Sequence, residues 1–283
     1  MTPPAAARIL TPPQPKRAAH AMPFGAERRP DGGTRFRLWA PDAETVTLLI
    51  GPDRQARPLE RLDDGWFGLT VPGLPAGTPY RYRLADGTEV PDPASRAQEG
   101  GPFGPSLAWD PLAYDWQAAG WRGRPWHEAV VYELHCGAIG RPGGFAAVEQ
   151  QLDRLATLGV TAIELMPVAD FVGARGWGYD GVLPFAPASI YGSPDDLKRL
   201  VDAAHQRGLM VLLDVVYNHF GPAGNFLSLY AKSFFDQDRL TPWGPAIDFR
   251  RPQVRDFFRH NALYWLEEFR LDGLRLDAVH AIR

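Results

Sequence analysis

The sequence predicts an N-terminal all-β sandwich domain followed by the first half of a (β/α)8 TIM barrel. Three observations lead there. Short alternating apolar runs broken by Gly, Pro and Asp fill the stretch from Gly33 to Arg83. A strand–loop–helix order repeats from Ala129 onward, and the polar residues that could do chemistry collect just after the strand segments.

Residues 1–30 are rich in Pro, Ala and Arg without periodicity and read as a flexible leader. In residues 31–90 the runs TRFRLWAP, TVTLLI, GWFGLTV and TPYRYRLADG each have an inward face and turn punctuation, which predicts a sandwich of six or seven strands. Trp39, Trp66 and Tyr82 in this domain are expected in its core, since rings at alternating positions fill small β domains. Residues 91–127 carry several Pro and Trp with little periodicity and read as an inter-domain connection.

Residues 128–283 read as the partial barrel. AVVYELH, VTAIELMPV, LMVLLDVVYNH and LDGLRLDAV are strand signals, starting near Val130, Val160, Met210 and Gly273. Helical segments lie between them, from Phe145 to Leu158, Pro194 to Arg207 and Val254 to Phe269. Such alternation implies parallel pairing with each helix crossing back over the sheet. A doubly wound sheet shares this early order; the barrel is preferred because the polar candidates follow the strand ends. A complete barrel takes about 250 residues and eight strands, so the expectation is a barrel truncated after strand 4.

Composition removes several function classes. A net charge of -3 gives no global pull toward nucleic acid or an anionic membrane. A single cysteine, Cys136, excludes an intramolecular disulfide and a multi-cysteine metal site. GRPGGF lacks both the Walker lysine pattern and dinucleotide spacing. No signal-length or membrane-length apolar run is present, so the expected location is cytoplasmic.

The strongest chemical signal is LRLDAVH. Arg275 and Asp277, two apart on a strand, share a face. The Arg favours the ionised carboxylate, which suits a nucleophile attacking an electron-poor sugar carbon; a structural ion pair would use the same residues. LLDVVYNH places Asp214 and Asn218 near a strand end with His219 just beyond. Asp214 is suited to orienting a neighbour and His219 to donating to a sugar hydroxyl, or both belong to a polar strand-to-loop junction. Two such residues do not define a metal site.

In GWGYDG, Tyr179 is suited to stacking on a pyranose and Asp180 to anchoring its neighbour or a hydroxyl, while Trp177 is as able to pack as to bind. His135 and Cys136 are adjacent on a strand and so face opposite ways, which argues against a Cys–His pair. His205 lies in a helix and is expected at the surface or behind the site. Glu164, inside the apolar second strand, is a buried polar support with no evident partner.

Taken together, VYELH, VTAIELMPVADF, RGWGYDG, SPDDLKRLVDAAHQRGLMVLLDVVYNHFGPAGN, NALYWL and DGLRLDAVHAI resemble the α-amylase superfamily of glycoside hydrolases, and within it the malto-oligosyltrehalose trehalohydrolases. The β region resembles the accessory domain that precedes the barrel in this group. The resemblance implies Asp277 as nucleophile, Arg275 positioning it, Asp214 as a supporting carboxylate and His219 as a contact at the cleavage subsite. It further implies Tyr179 as a stacking platform, Asp180 as a support and His280 lining a neighbouring subsite, with no metal or other cofactor.

The implied reaction is retaining hydrolysis of the α-1,4 bond next to the terminal trehalose of a malto-oligosyltrehalose. The implied partner is that sugar or a related α-glucan, with no nucleic acid or membrane, and the remaining barrel strands are expected to be required. The general-acid Glu falls outside this chain. Rival readings are an α-glucan branching or debranching enzyme and a noncatalytic α-glucan-binding or split-enzyme fragment.

Overall fold

The alternating runs of the first third of the chain resolve into two facing antiparallel sheets. A computed structural model describes residues 17–282. The strands are β1 (Gly25–Arg28), β2 (Thr34–Trp39), β3 (Val46–Ile50), β4 (Gln55–Pro58), β5 (Glu60–Arg61), β6 (Trp66–Val71), β7 (Thr78–Leu84), β8 (Glu89–Val90) and β9 (Ser106–Ala108). One sheet has the order β1-β2-β6-β5; the other has β4-β3-β7-β8, with β9 also paired to β7. Alternate side chains such as Phe36, Leu38, Leu48, Ile50, Tyr80 and Tyr82 are buried between them. Trp39 is buried with them, and Trp66 is half-buried with the Arg37 guanidinium 4.3 Å from its ring centre.

Nine strands exceed the six or seven expected, because β1 and β9 fall in segments read as leader and connection. The leader reading is corrected for residues 17–30; residues 1–16 lie outside the described part. His20, Met22 and Phe24 are buried. Phe24 meets Phe257 edge-on at 5.4 Å, and His20 contacts Glu267 at 2.7 Å and His260 at 2.8 Å. These partners are more than two hundred residues away in sequence, so no local window shows them. Arg96 completes the junction, donating to the carbonyls of Ala26 and His20 and to Glu268 at 3.3 Å.

The second part is built on four parallel strands: β10 (Val131–Leu134), β11 (Ala162–Leu165), β14 (Met210–Val215) and β17 (Gly273–Leu276), adjacent in that order. After β10 come α1 (Phe145–Glu149) and α2 (Leu152–Leu158), two pieces where one helix was expected. After β11 comes a hairpin, β12 (Ala169–Asp170) with β13 (Leu183–Pro187), then α3 (Pro194–Gln206). After β14 come α4 (Leu227–Tyr230), a second hairpin of β15 (Phe235–Thr241) and β16 (Gly244–Ile247), and α5 (Pro252–Glu267).

α3 starts where it does because Ser193 and Asp196 form a reciprocal capping box ahead of Pro194. Along β11 and β14, Ile163, Leu165, Val211 and Leu213 enter the buried core. The opposite face carries Glu164 and Asp214, by the two-residue alternation of a strand. In register, Glu133 lies beside Glu164 and Asp214 beside Arg275. Of the two places expected for His205, the surface is excluded: it is buried, stacked on Trp121 at 4.8 Å, with Nε2 on Asp272 at 3.0 Å. No helix among the described residues is long and apolar enough to cross a membrane.

Candidate active site

The loops after β10, β11 and β14 and the end of β17 converge at the C-terminal ends of the parallel strands, the edge where barrel enzymes place their chemistry. At the centre is Asp214, fully buried at the end of β14. Arg275 Nη1 donates to both its oxygens at 3.1 and 3.0 Å, and the Tyr179 hydroxyl donates to Oδ2 at 2.9 Å. The same Nη1 donates to Asp277 Oδ1 at 2.7 Å. One guanidinium nitrogen thus ties a buried carboxylate to a partly exposed one just past β17.

Burial raises the pKa of Asp214, opposed by the hydrogen bonds from Tyr179 and Arg275. Because those bonds occupy both oxygens, the acid form would lose its partners, so Asp214 serves as an ionised anchor. The Arg275 guanidinium is held further toward its charged form, first by its bond to Asp277. Burial and the bond to Asp214 push the Tyr179 hydroxyl up.

His219 is placed differently from the sequence expectation of a donor to sugar. Its Nε2 lies 2.9 Å from the Tyr179 carbonyl, and Nδ1 lies 2.9 Å from Asn218 Oδ1. Burial lowers its pKa and favours the neutral ring. Both oxygens accept, but the Asn218 amide, whose Nδ2 is buried without a partner, can turn to offer its NH2 to Nδ1 while a backbone carbonyl cannot, so the single proton of the neutral ring is assigned to Nε2 and donated to Tyr179. His219 therefore braces the Tyr179 loop in this arrangement.

Trp243, at the tip of the β15–β16 hairpin, stacks on the His219 ring at 4.2 Å and 17° while remaining half exposed. Sequence reasoning missed it, since a lone Trp in a long excursion carries no positional signal. Asp180 is exposed and reaches the site as a negative charge near His219. Trp177 stands largely in solvent, and His280 is exposed in the short turn Val279–Ala281.

Glu164, which had no evident partner, lies with Glu133 and Asp214 so that one oxygen from each is within 4.8 Å of the others. Burial raises its pKa, and Glu133 and Asp214 add to the effect. These three are the one group of three His, Cys, Asp or Glu side chains close enough to share a cation among the described residues. Asp214 is committed to Arg275 and Tyr179, and a cluster of acids does not by itself make a metal centre. The expected separation of His135 from Cys136 is visible: His135 Nε2 meets the Gly176 carbonyl at 2.8 Å, while Cys136 is buried, its thiol pushed up to about 12 by desolvation.

The family model described as "Alpha amylase, catalytic domain" matches residues 85–240, more than half of the chain. The chain belongs to the α-amylase family. A second model, "Carbohydrate-binding module 48 (Isoamylase N-terminal domain)", matches residues 23–96. Among curated relatives, the malto-oligosyltrehalose trehalohydrolase of Deinococcus radiodurans is 43% identical over 98% of this chain and 45% of its own length. That of Saccharolobus solfataricus is 44% identical over 92% of this chain and 46% of its own.

The 1,4-alpha-glucan branching enzyme GlgB of Photobacterium profundum is 37% identical over 89% of this chain and 39% of its own length. This α-amylase family chain thus spans less than half the length of the curated relatives it matches. A Salmonella typhimurium crystal structure described as an alpha amylase superposes with a TM-score of 0.90 at 50% identity, covering 92% of this chain and 44% of that one. A Paenibacillus barengoltzii pullulanase in complex with maltohexaose and alpha-cyclodextrin gives 0.78 at 27% identity, covering 92% and 49%. The four parallel strands and their helices are the first part of the family's (β/α)8 barrel, behind a β-sandwich module.

Proposed function

We propose that these residues supply the nucleophile side of a retaining glycoside hydrolase acting on α-glucans, with malto-oligosyltrehalose as substrate and trehalose as the released product. The observation that carries the reading is the Arg275 bridge, 2.7 Å to Asp277 and about equally close to both oxygens of Asp214. A cation fixed between a buried anchor and a solvent-facing carboxylate holds that carboxylate aimed. Asp277 would attack the anomeric carbon while a second carboxyl group protonates the leaving oxygen. Water would then release the glycosyl group with retention.

The second carboxyl group must sit about 5 to 5.5 Å from the nucleophile. Asp214 is unsuited to it, because both its oxygens accept hydrogen bonds. The acid is expected from strands that would close the barrel beyond β17. The trehalosyl specificity draws its support from trehalohydrolases at 43% and 44% identity, although one from Brevibacterium helvolum is 35% identical, below the branching enzyme at 37%.

Product analysis on trehalosyl-capped, linear and branched glucans, with the full-length protein that supplies the closing strands, tests this. Trehalose from the capped substrate is the expected result, with Asp277→Asn lowering turnover by roughly 10⁴-fold. Branch transfer or debranching would replace the trehalohydrolase reading, and saturable glucan binding without any product would leave a noncatalytic module.

A further inference from the structure

Tyr179 and Asp180 sit in the loop of the β12–β13 hairpin, between Asp170 and Leu183, with no repeating secondary structure of its own. The loop's carbonyls are nevertheless taken up by the strand ends around it. His219, beyond β14, holds the Tyr179 carbonyl at 2.9 Å. The Gly221 backbone N–H donates to the Gly181 carbonyl at 3.1 Å. On the other side His135, the first residue after β10, brings its Nε2 to 2.8 Å from the Gly176 carbonyl. A carbonyl only accepts, so this Nε2 carries a proton and donates it. Two imidazoles, from the strands on either side of β11, thus hold the carbonyls of Gly176 and Tyr179 in one loop.

The His135 ring is itself seated. A Cβ at Gly137 would come within 3.0 Å of it and within 3.1 Å of the Tyr191 ring. Tyr191 meets the His135 ring edge-on at 5.9 Å, with its hydroxyl 3.3 Å from the same Nε2. The segment it holds needs anchors, because Gly176, Gly178 and Gly181 leave it more backbone freedom than any other residue would. Gly178 uses that freedom: it has φ +97, and a Cβ there would run into the Pro167 carbonyl oxygen. At the far end of the segment the Tyr179 hydroxyl must reach Asp214 Oδ2 at 2.9 Å. A hydrogen bond weakens steeply as distance and angle drift, so a loop loosened at Gly176 delivers that hydroxyl less well.

We infer that His135 is a positioning residue for Tyr179, its bond to the Gly176 carbonyl fixing the loop so that the Tyr179 hydroxyl meets Asp214. It acts through the loop and is not a catalytic residue. The inference rests on the reading of Asp277, Arg275, Asp214 and Tyr179 as one side of a glycoside hydrolase centre.

Hydrogen exchange and kinetics on the full-length protein that supplies the closing strands test it. His135→Leu removes the donor, His135→Asn removes it with a polar side chain too short to reach, and His135→Gln keeps an N–H at about the reach of Nε2. The peptide covering residues 176–181 should exchange roughly tenfold faster in the Leu and Asn variants, and as in the wild type in His135→Gln. On whichever α-glucan the wild type turns over fastest, kcat/KM should fall roughly tenfold in the Leu and Asn variants, with most of it restored in His135→Gln. Combining His135→Leu with Tyr179→Phe should stay near tenfold, since both act on the same hydrogen bond, whereas independent losses would multiply to about a hundredfold. Unchanged exchange, a multiplied loss, or no recovery in His135→Gln overturns the assignment. A wild type that releases no trehalose counts against the functional reading instead, and the exchange of the loop still decides whether His135 fixes it.

Discussion

The Tyr179 hydroxyl donates to Asp214 Oδ2 at 2.9 Å, linking the loop after β11 to the end of β14. A side chain read from sequence as a stacking ring is also a hydrogen-bond donor to the anchor of the site. Tyr179→Phe keeps the ring and deletes the donor. Asp214 then loses one partner while staying buried, a cost of about 1–2 kcal/mol. We expect kcat/KM for trehalosyl-capped glucans to fall roughly tenfold, measured by steady-state kinetics, with the thermal midpoint down by a few degrees.

Arg275→Met tests the bridge between Asp214 and Asp277. Without the guanidinium, one of the two influences that hold the Asp214 carboxyl down is gone, and burial drives it further up. The acid limb of the kcat/KM profile should move to higher pH, because ionised Asp214 is then reached only at lower proton concentration. Turnover at neutral pH should drop about 10²-fold or more. An unmoved acid limb would show that Arg275 is only a structural contact.

Two buried carboxyl groups away from the site predict how stability depends on pH. Burial raises Asp170 to about 7 and Asp92 to about 6, from an ordinary 3.8. A raised folded value means that the protonated form is favoured in the fold. That contribution is fully present below about pH 4 and is lost as pH climbs through the folded values. Asp170→Asn should therefore flatten the fall in melting temperature between pH 5 and 8, read by calorimetry of mutant against wild type. His219, with its pKa lowered by burial, acts in the opposite sense and loses its contribution as pH falls below the ordinary 6.5. The difference between mutant and wild type isolates the Asp170 part.

Arg96 and Glu268 are both almost fully buried at the junction of sandwich and barrel, 3.3 Å apart. Removing one partner of a buried pair strands the other charge. Arg96→Met should cost about 3–5 kcal/mol in urea unfolding, with additional loss from the Ala26 and His20 carbonyls it caps. The double variant Arg96→Met with Glu268→Leu should recover only part of that, because the buried Lys198 ammonium, 4.0 Å from Glu268, then loses its carboxylate.

What the sequence determined by itself was whatever local periodicity and turn chemistry dictate. Four strand segments were legible within two residues of their observed starts, and α3 was legible as the helical segment from Pro194 to Arg207. Asp277 and Arg275 could be paired because two residues on one strand share a face without help from the rest of the fold. Asp214, Tyr179 and His219 were legible as candidates, through residue type and position after a strand.

Only the tertiary structure decided how they are used. His219 spends its proton on a backbone carbonyl because the β11 loop folds over it, and Trp243 covers its ring from a hairpin 24 positions further along. Glu164 gained its neighbours because β10, β11 and β14 lie side by side in register. Residues 17–30 looked unstructured because their partners are on α5, at the opposite end of the chain. Periodicity reports which face of an element is apolar. Which distant surface that face meets depends on the order and register of the sheet, a property of the whole chain.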